Sequence, residues 1–295
     1  MHDFPAPGIS RRAALAAGLG ILLGEMASDA VAGEATVSER AFPAVQGHRG
    51  ASGLAPENTL TAFRRAISLG ADGVELALQV TRDEAVVVIH DDRLDRTTDR
   101  QGRISDLTLA EIRQADAGGK FAPAFRGERV PTLQEVIALV KAEAGERFRL
   151  NLEIKFAAGR EGQPPDIEER VLAVLHEADF LHRVTVQSFY HPSPAKMKRL
   201  EPRIPTGLLV SERRPVADPV ALVRQHGADY FAPNYRLVTA EMVASLHAAG
   251  IPVVVWTVNE PAEMRRLVAL GVGALRGDAL ISDFPDRALA FRQVH

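Results

Sequence analysis

The sequence predicts a single (β/α)₈ barrel with a short antiparallel arm at its C-terminal rim, on three observations. Short β-branched apolar runs alternate with amphipathic helical patterns along the chain, the signature of βα units and a parallel sheet. One pair of adjacent runs is joined by a link too short for a parallel crossover, which removes one strand from the ring. The length also fits, because the 295-residue chain less a 32-residue leader leaves 263 residues, close to the roughly 250 of such barrels.

The elements follow in order. "FPAVQGH" is the first strand, and "NTLTAFRRAISLG" is a helix capped at Asn58/Thr59 and closed by Gly70. "DGVELALQV" and "AVVVIH" come next, separated only by "TRDEA". That link makes a hairpin, so the arm at about 80–90 runs antiparallel and folds back over the rim. "PTLQEVIALVKAEAG" carries Thr132 with Glu135 three residues on, the capping-box pattern. "RLNLEI", "VTVQSF", "PTGLLV", "DYFAP", "VVVWTV" and "DALIS" supply the remaining strands. Helical patterns such as "PDIEERVLAVLHEA", "DPVALVRQHG", "TAEMVASLHAAG" and "PAEMRRLVALG" fall between most of them. Nine strand candidates minus the arm leave the eight a closed barrel needs.

Composition excludes some functions. Hydrophobic residues make up 46%, charged residues 25%, and net charge is −3 with no basic stripe, so nucleic acid is not an expected partner. Residues 1–32 are read as a cleaved leader. Arg11 and Arg12 precede an apolar run, and Ala30-Val31-Ala32 is a small-x-small cleavage site. The paired arginines after Ser10 resemble a twin-arginine signal. The apolar run from Ala13 to Leu23 is too short to span a bilayer of about 30 Å, so no stable membrane insertion of the mature chain is expected. The expectation is a periplasmic or secreted single domain over 33–295, delivered by the export machinery. The absence of cysteine is compatible with that compartment and demands nothing by itself.

The chemistry is expected where polar side chains end barrel strands. The first strand ends in His48 and Arg49; the second carries Glu75, and the return arm ends on His90. "NLEIK" places Glu153 and Lys155 on one strand face, and later strands end in Ser188, Phe189, Trp256 and Asn259. Carboxylates suit a hard cation such as Ca²⁺ or Mg²⁺. Arg and Lys suit a phosphate, and two histidines suit proton transfer on either side of phosphorus. Any one buried His or Glu is more often structural, but several at the C-terminal ends of barrel strands are not. His176, His182, His226 and His247 lie on helices or loops and are left out of the chemistry. "DRTTDRQG" has a phosphate-loop composition that is more often a turn.

These pieces together resemble the glycerophosphodiester phosphodiesterase family. The matching stretches are "GHRGASGLAPENT", "GADGVEL", "VVVIHDDRLDRTTDRQGRISDLTLAEI", "RVPTLQEV", "LNLEIK", "SF", "WTVN" and "ISDFPD", in order and nearly end to end. The resemblance implies a barrel that hydrolyses substrates such as glycerophosphocholine to glycerol 3-phosphate and an alcohol with a divalent metal, Ca²⁺ or Mg²⁺. It implies His48 and His90 as the acid–base pair, Arg49 on the phosphate, Glu75 and Glu153 on the metal, and Lys155 against phosphorane charge. Phe189 and Trp256 would line the substrate pocket.

The chain departs from the family's pattern in its second strand. The family's second strand reads E-x-D with both carboxylates on the metal, and here it reads Glu75-Leu76-Ala77. Gln79, about 6.6 Å further along the strand, and Asp91 on the arm are the alternatives considered for the missing ligand. Two other functions stay open: an impaired phosphodiester-binding relative, motivated by Ala77, and a phospholipase D-like enzyme acting on lysophospholipids. "LGVGALRGDALISDFPD" is also longer than the family's usual connection, and Arg276 in that excess is expected to lie away from the chemistry.

Overall fold

The structure, a computed structural model, describes residues 42–156 and 166–293. The leader at 1–32 lies outside the described residues. Among them, nine strands form one sheet in the order β7-β6-β5-β4-β2-β1-β9-β8, with β3 attached to β2. The strands are β1 (Ala44–Gly47), β2 (Gly73–Val80), β3 (Val86–Val88), β4 (Arg149–Ile154) and β5 (Val184–Ser188). They continue with β6 (Thr206–Val210), β7 (Tyr230–Pro233), β8 (Val254–Val255) and β9 (Ala279–Ser282). All neighbours in the ring pair parallel. Bridges Phe231 to Val253 and Asn234 to Trp256 join β7 to β8 and close it. The result is the TIM barrel that the strand count predicts. No helix among the described residues is long and apolar enough to cross a membrane.

β3 runs antiparallel to β2, with Leu78 opposite Val88 and Val80 opposite Val86. The regular ladder pairs end at Val88, but the arm stays bonded to β2 beyond it, the Ile89 amide donating to the Ala77 carbonyl and Gln79 to the His90 carbonyl, in line with an arm that reaches His90. The Val88 amide turns to the Pro131 carbonyl, and Val87 bridges Thr132, so the outer edge of the arm is covered by the chain entering the helix at Leu133–Glu143. That covering satisfies an edge strand that would otherwise present bare amides.

The helices α1 (Leu60–Leu69), α2 (Leu109–Ile112), α3 (Leu133–Glu143) and α4 (Ile167–Glu177) follow the first half of the ring. The helices α5 (Pro192–Leu200), α6 (Pro219–His226), α7 (Ala240–Ala248), α8 (Pro261–Ala269) and α9 (Pro285–Gln293) surround the second half. α3 begins with the expected capping box: Thr132 accepts from the Glu135 amide, and Glu135 accepts from the Thr132 amide. Of the two candidate caps at α1, Thr59 does the capping. Asn58 instead takes a left-handed backbone (φ 58°) and turns its Oδ1 to the Ala77 amide.

The inside of the barrel has two halves. On the β6–β9 side, Leu209, Tyr230, Ala232, Val254, Ala279 and Ile281 form an apolar cluster. Gly207 makes that packing possible, since a Cβ there would lie 2.0 Å from the Tyr230 ring. On the β1–β5 side the inward positions are polar. Asn151 donates to Gln46 and accepts from the Tyr230 hydroxyl, so the layer beneath the rim is tied by hydrogen bonds rather than by apolar contact.

The extra residues before β9 are organised by Asp278, whose side chain is fully buried. It accepts from the amides of Val253, Gly273 and Leu275 and pairs with His247. Arg276 therefore sits in a loop feeding the N-terminal end of β9, opposite the rim that carries the site. Asp278→Ala would strand at least two buried amides. At about 1–3 kcal/mol each it is expected to cost on the order of 3 kcal/mol in urea unfolding, and a loss under about 1 kcal/mol would contradict this role.

Candidate active site at the C-terminal rim

The polar strand ends converge on one cavity of about 120 Å³. It is lined by His48, Arg49, Glu75, His90, Glu153, Gln187, Phe189 and Trp256, with apolar Leu209 and Ile281 behind them. Each reaches it for a reason of register. β1 and β2 pair so that His48 and Arg49, just past Gly47, lie beside Val74 and Glu75. In parallel strands, residues opposite one another face the same side. The run Ala77, Glu153, Gln187 therefore lies level across β2, β4 and β5, all three inside the barrel. His90 arrives on the returning arm. Lys155, one residue beyond β4, completes the group from the side.

The two histidines are held alike. His48 donates Nδ1–H to Asp283 Oδ1 at 2.6 Å, which leaves Nε2 toward the cavity, 3.9 Å from Glu75. Asp283 is fixed in turn by Ser52 and Asn259. Burial opposes its ionisation, but hydrogen bonding and the charge of His48 outweigh that and hold its carboxyl well below the usual range. His90 donates Nδ1–H to Asp91 at 2.7 Å, and its Nε2 accepts from Lys155 Nζ at 2.9 Å. Burial, then the positive charges of Lys155 and Arg49, lower the His90 pKa to about 4, so its ring is neutral at pH 7.

The carboxylates are deep. Glu75 is 3% exposed and Glu153 5% exposed. Burial, with added repulsion from Glu153, raises the Glu75 pKa against the pull of His48 and Arg49. The Arg49 amide donates to Glu75 at 3.0 Å from a left-handed backbone (φ 51°). Lys155 donates to Glu153 at 2.9 Å and lies 5.9 Å from the Phe189 ring centre. Phe189 packs edge-on against Trp256, centroids 5.4 Å apart, and is itself exposed. Arg49, which lines the cavity, bonds Glu57 through Nη1, while its Nε is buried with no hydrogen-bond partner among the described residues.

The structure thus brings together all eight residues chosen from the sequence. It also adds residues that sequence reasoning passed over or misjudged, among them Gln187 in the cavity wall. Asp283 follows the last barrel strand directly, so the strand-end rule could have found it in "ISDFPD". Glu57 and Arg96 gave no such signal. Arg96 makes two-pronged hydrogen bonds both to Glu57 (2.8 and 2.8 Å) and to Asp91 (2.7 and 3.0 Å). It thereby joins the carboxylate that grips Arg49 to the one that orients His90. Burial alone would raise the Glu57 pKa, yet the Arg96 hydrogen bond and both arginine charges bring it down to about 2. Asp91, considered as a spare metal ligand, is committed to His90 and Arg96. Gln79 is likewise engaged, donating to the His90 carbonyl at 3.2 Å.

Ser188, another strand-end candidate, donates to the Ile154 carbonyl and is structural. Among the described residues, no three His, Cys, Asp or Glu side chains are placed to hold a metal ion. Glu75 and Glu153 are the two carboxylates available to one, and two buried oxygen donors of like charge suit a hard cation.

Comparison with known proteins agrees with this arrangement. The model of the Glycerophosphoryl diester phosphodiesterase family matches residues 48–287. The chain is 38% identical over 239 residues to a glycerophosphodiester phosphodiesterase of Caldanaerobacter subterraneus subsp. tengcongensis, covering 81% of this chain and 93% of that one. It is 36% identical over 248 residues to another of that name from Bacillus altitudinis, covering 83% and 96%. A solved Oleispira antarctica phosphodiesterase, in complex with the product sn-glycerol-3-phosphate, superposes with a TM-score of 0.74 at 30% identity over 85% of this chain and 97% of that one. A strand-end site on a closed barrel and a match along most of the chain lead to one conclusion: the chain belongs to the glycerophosphoryl diester phosphodiesterase family and is a phosphoric diester hydrolase.

Proposed function

We propose that the protein hydrolyses glycerophosphodiesters such as glycerophosphocholine to glycerol 3-phosphate and an alcohol, with His48 and His90 transferring the protons. The observation that carries this reading is the pair of imidazoles, each anchored at Nδ1 by a carboxylate, lining one cavity together with Arg49. The product in the Oleispira relative is the one this reaction would release.

In this scheme Arg49 Nε and the Lys155 ammonium take phosphoryl oxygens. Neutral His90 removes the proton of the attacking hydroxyl: water gives glycerol 3-phosphate directly, whereas the neighbouring glycerol hydroxyl gives a cyclic phosphate that water opens to glycerol 3-phosphate in a second displacement. As the new P–O bond forms and the bond to the alcohol breaks, His48 delivers its Nε2 proton to the departing oxygen. Such acid–base assistance supplies roughly 10²- to 10⁴-fold each. The buried Glu75 and Glu153 fit a divalent cation, Ca²⁺ or Mg²⁺, and such a cation would polarise phosphoryl oxygens when bound.

The acid limb of the rate profile is expected to follow His90. Its pKa is lowered, so the base form persists as pH falls through 6 and is lost only below about 4. Measuring kcat/KM from pH 3.5 to 8 checks this, and a limb near 6.5 would take the base role from His90. The overall reading is tested by following glycerol 3-phosphate release from glycerophosphocholine, with chelator, Ca²⁺ or Mg²⁺. No release under any of these conditions would favour the impaired binder that Ala77 motivates. The exposed Phe189 beside Trp256 is the one feature favouring lysophospholipid cleavage, and release of choline from lysophosphatidylcholine but not from glycerophosphocholine would establish it. Action outside the cytoplasm rests on residues 1–32 alone and is checked by fractionating cells that express the full chain.

A further inference from the structure

Glu153 has two lateral neighbours in the barrel ladder, Ala77 on β2 and Gln187 on β5. Both stand one strand spacing away, about 4.8 Å, and face the interior with it. Position 77 offers a methyl group where E-x-D relatives offer a carboxylate. Position 187 offers a side-chain oxygen: Gln187 is 1% exposed, lines the same cavity as Glu75 and Glu153, and its Oε1 has no hydrogen-bond partner. Buried amide oxygens are nearly always satisfied, so one left bare beside Glu153, in a cavity that Glu75 also lines, calls for a ligand. The other polar side chains near enough to consider are engaged. Gln79 stands two residues past the level of Glu153 and its amide nitrogen is tied to the His90 carbonyl, Asp91 holds His90 and Arg96, and Gln46 accepts from Asn151.

We propose that Gln187 Oε1 is the third protein oxygen of the divalent-cation site, completing Glu75 and Glu153 from the opposite side of Glu153 to the position that an aspartate at 77 would occupy. A neutral amide oxygen is an ordinary ligand for Ca²⁺ and a poorer one than carboxylate, so the site is weaker and carries one negative charge less than in an E-x-D enzyme. The proposal rests on the metal-assisted reading above and refines which atoms hold the ion.

The test is calorimetric titration of Ca²⁺, and separately Mg²⁺, into metal-free full-length protein, with melting temperature followed in parallel. The parent chain is expected to bind. Gln187→Leu should weaken binding by at least roughly 10-fold and abolish the rise in melting temperature on adding metal, while leaving metal-free melting unchanged or higher. Gln187→Glu, which keeps the shape and adds charge, should bind more tightly than the parent, and it guards against misfolding of the leucine variant. Equal affinity of parent and both variants would overturn the proposal and leave Oε1 to a water, with the metal reading intact. Failure of the parent to bind either ion would overturn the proposal and the metal reading together.

Discussion

Replacing His90 by alanine will lower kcat for glycerophosphodiester hydrolysis by roughly 10²- to 10⁴-fold, and His48→Ala will do the same within that range. Neither change should disturb the fold. Among the described residues the His90 ring bonds Asp91 and Lys155, both at the partly open rim, and His48 bonds Asp283 there. Far-UV dichroism and melting temperature are the controls, and single-turnover release of glycerol 3-phosphate is the readout. A loss under 10-fold for either variant, in folded protein, would remove that histidine from proton transfer. The double variant should lose little more than the worse single one, because two groups acting in one displacement do not contribute independently.

Ala77→Asp is the second large effect, and it acts in opposite directions with and without metal. The new carboxylate would lie level with Glu153 and two residues from Glu75, in an interior where Glu75 already resists ionisation. Three like charges with no cation should destabilise the metal-free barrel by on the order of 3 kcal/mol. In a chain of this size that is roughly 2–4 °C of melting temperature for each kcal/mol. With Ca²⁺ present the same carboxylate should raise affinity by at least roughly 10-fold and restore or exceed the parent's melting temperature. Thermal melts with chelator and with Ca²⁺ decide it. Equal shifts in both conditions would mean that position 77 does not face the cation. Gln187→Leu should cost far less affinity in the Ala77→Asp background than in the parent, since the ligand set is then complete without it.

The barrel was legible because its evidence is local and repeated: apolar runs, caps, and a five-residue link that permits only a hairpin. The core of the candidate site was legible because polar residues at or near the ends of apolar strands stand out in a sequence: His48 follows β1, Glu153 is the penultimate residue of β4, His90 follows the arm, and Glu75 breaks the apolar run of β2. What escaped detection depends on closure in space. Arg96 matters because it reaches Glu57 and Asp91 at once, 39 and 5 residues away in the chain. Nothing in "DRTTDRQG" distinguishes that from a turn. Gln187 was hidden for the opposite reason. A polar residue in "VTVQSF" is unremarkable until register sets it beside Glu153 and its oxygen is found with no partner.

The grip of Asp283 on His48 joins the last strand of the ring to the first across 235 residues of chain. The His48 amide also donates to the Ser282 carbonyl, so backbone and side chain are seated by the same late segment. A chain lacking everything after β8 would still contain both histidines, both glutamates and the arginine, and yet His48 would have nothing to aim it. With His48 in the role proposed for it, turnover is a signal that the ring has shut. During refolding, activity should return with the docking of residues 279–283 and no earlier, however much helix has already formed.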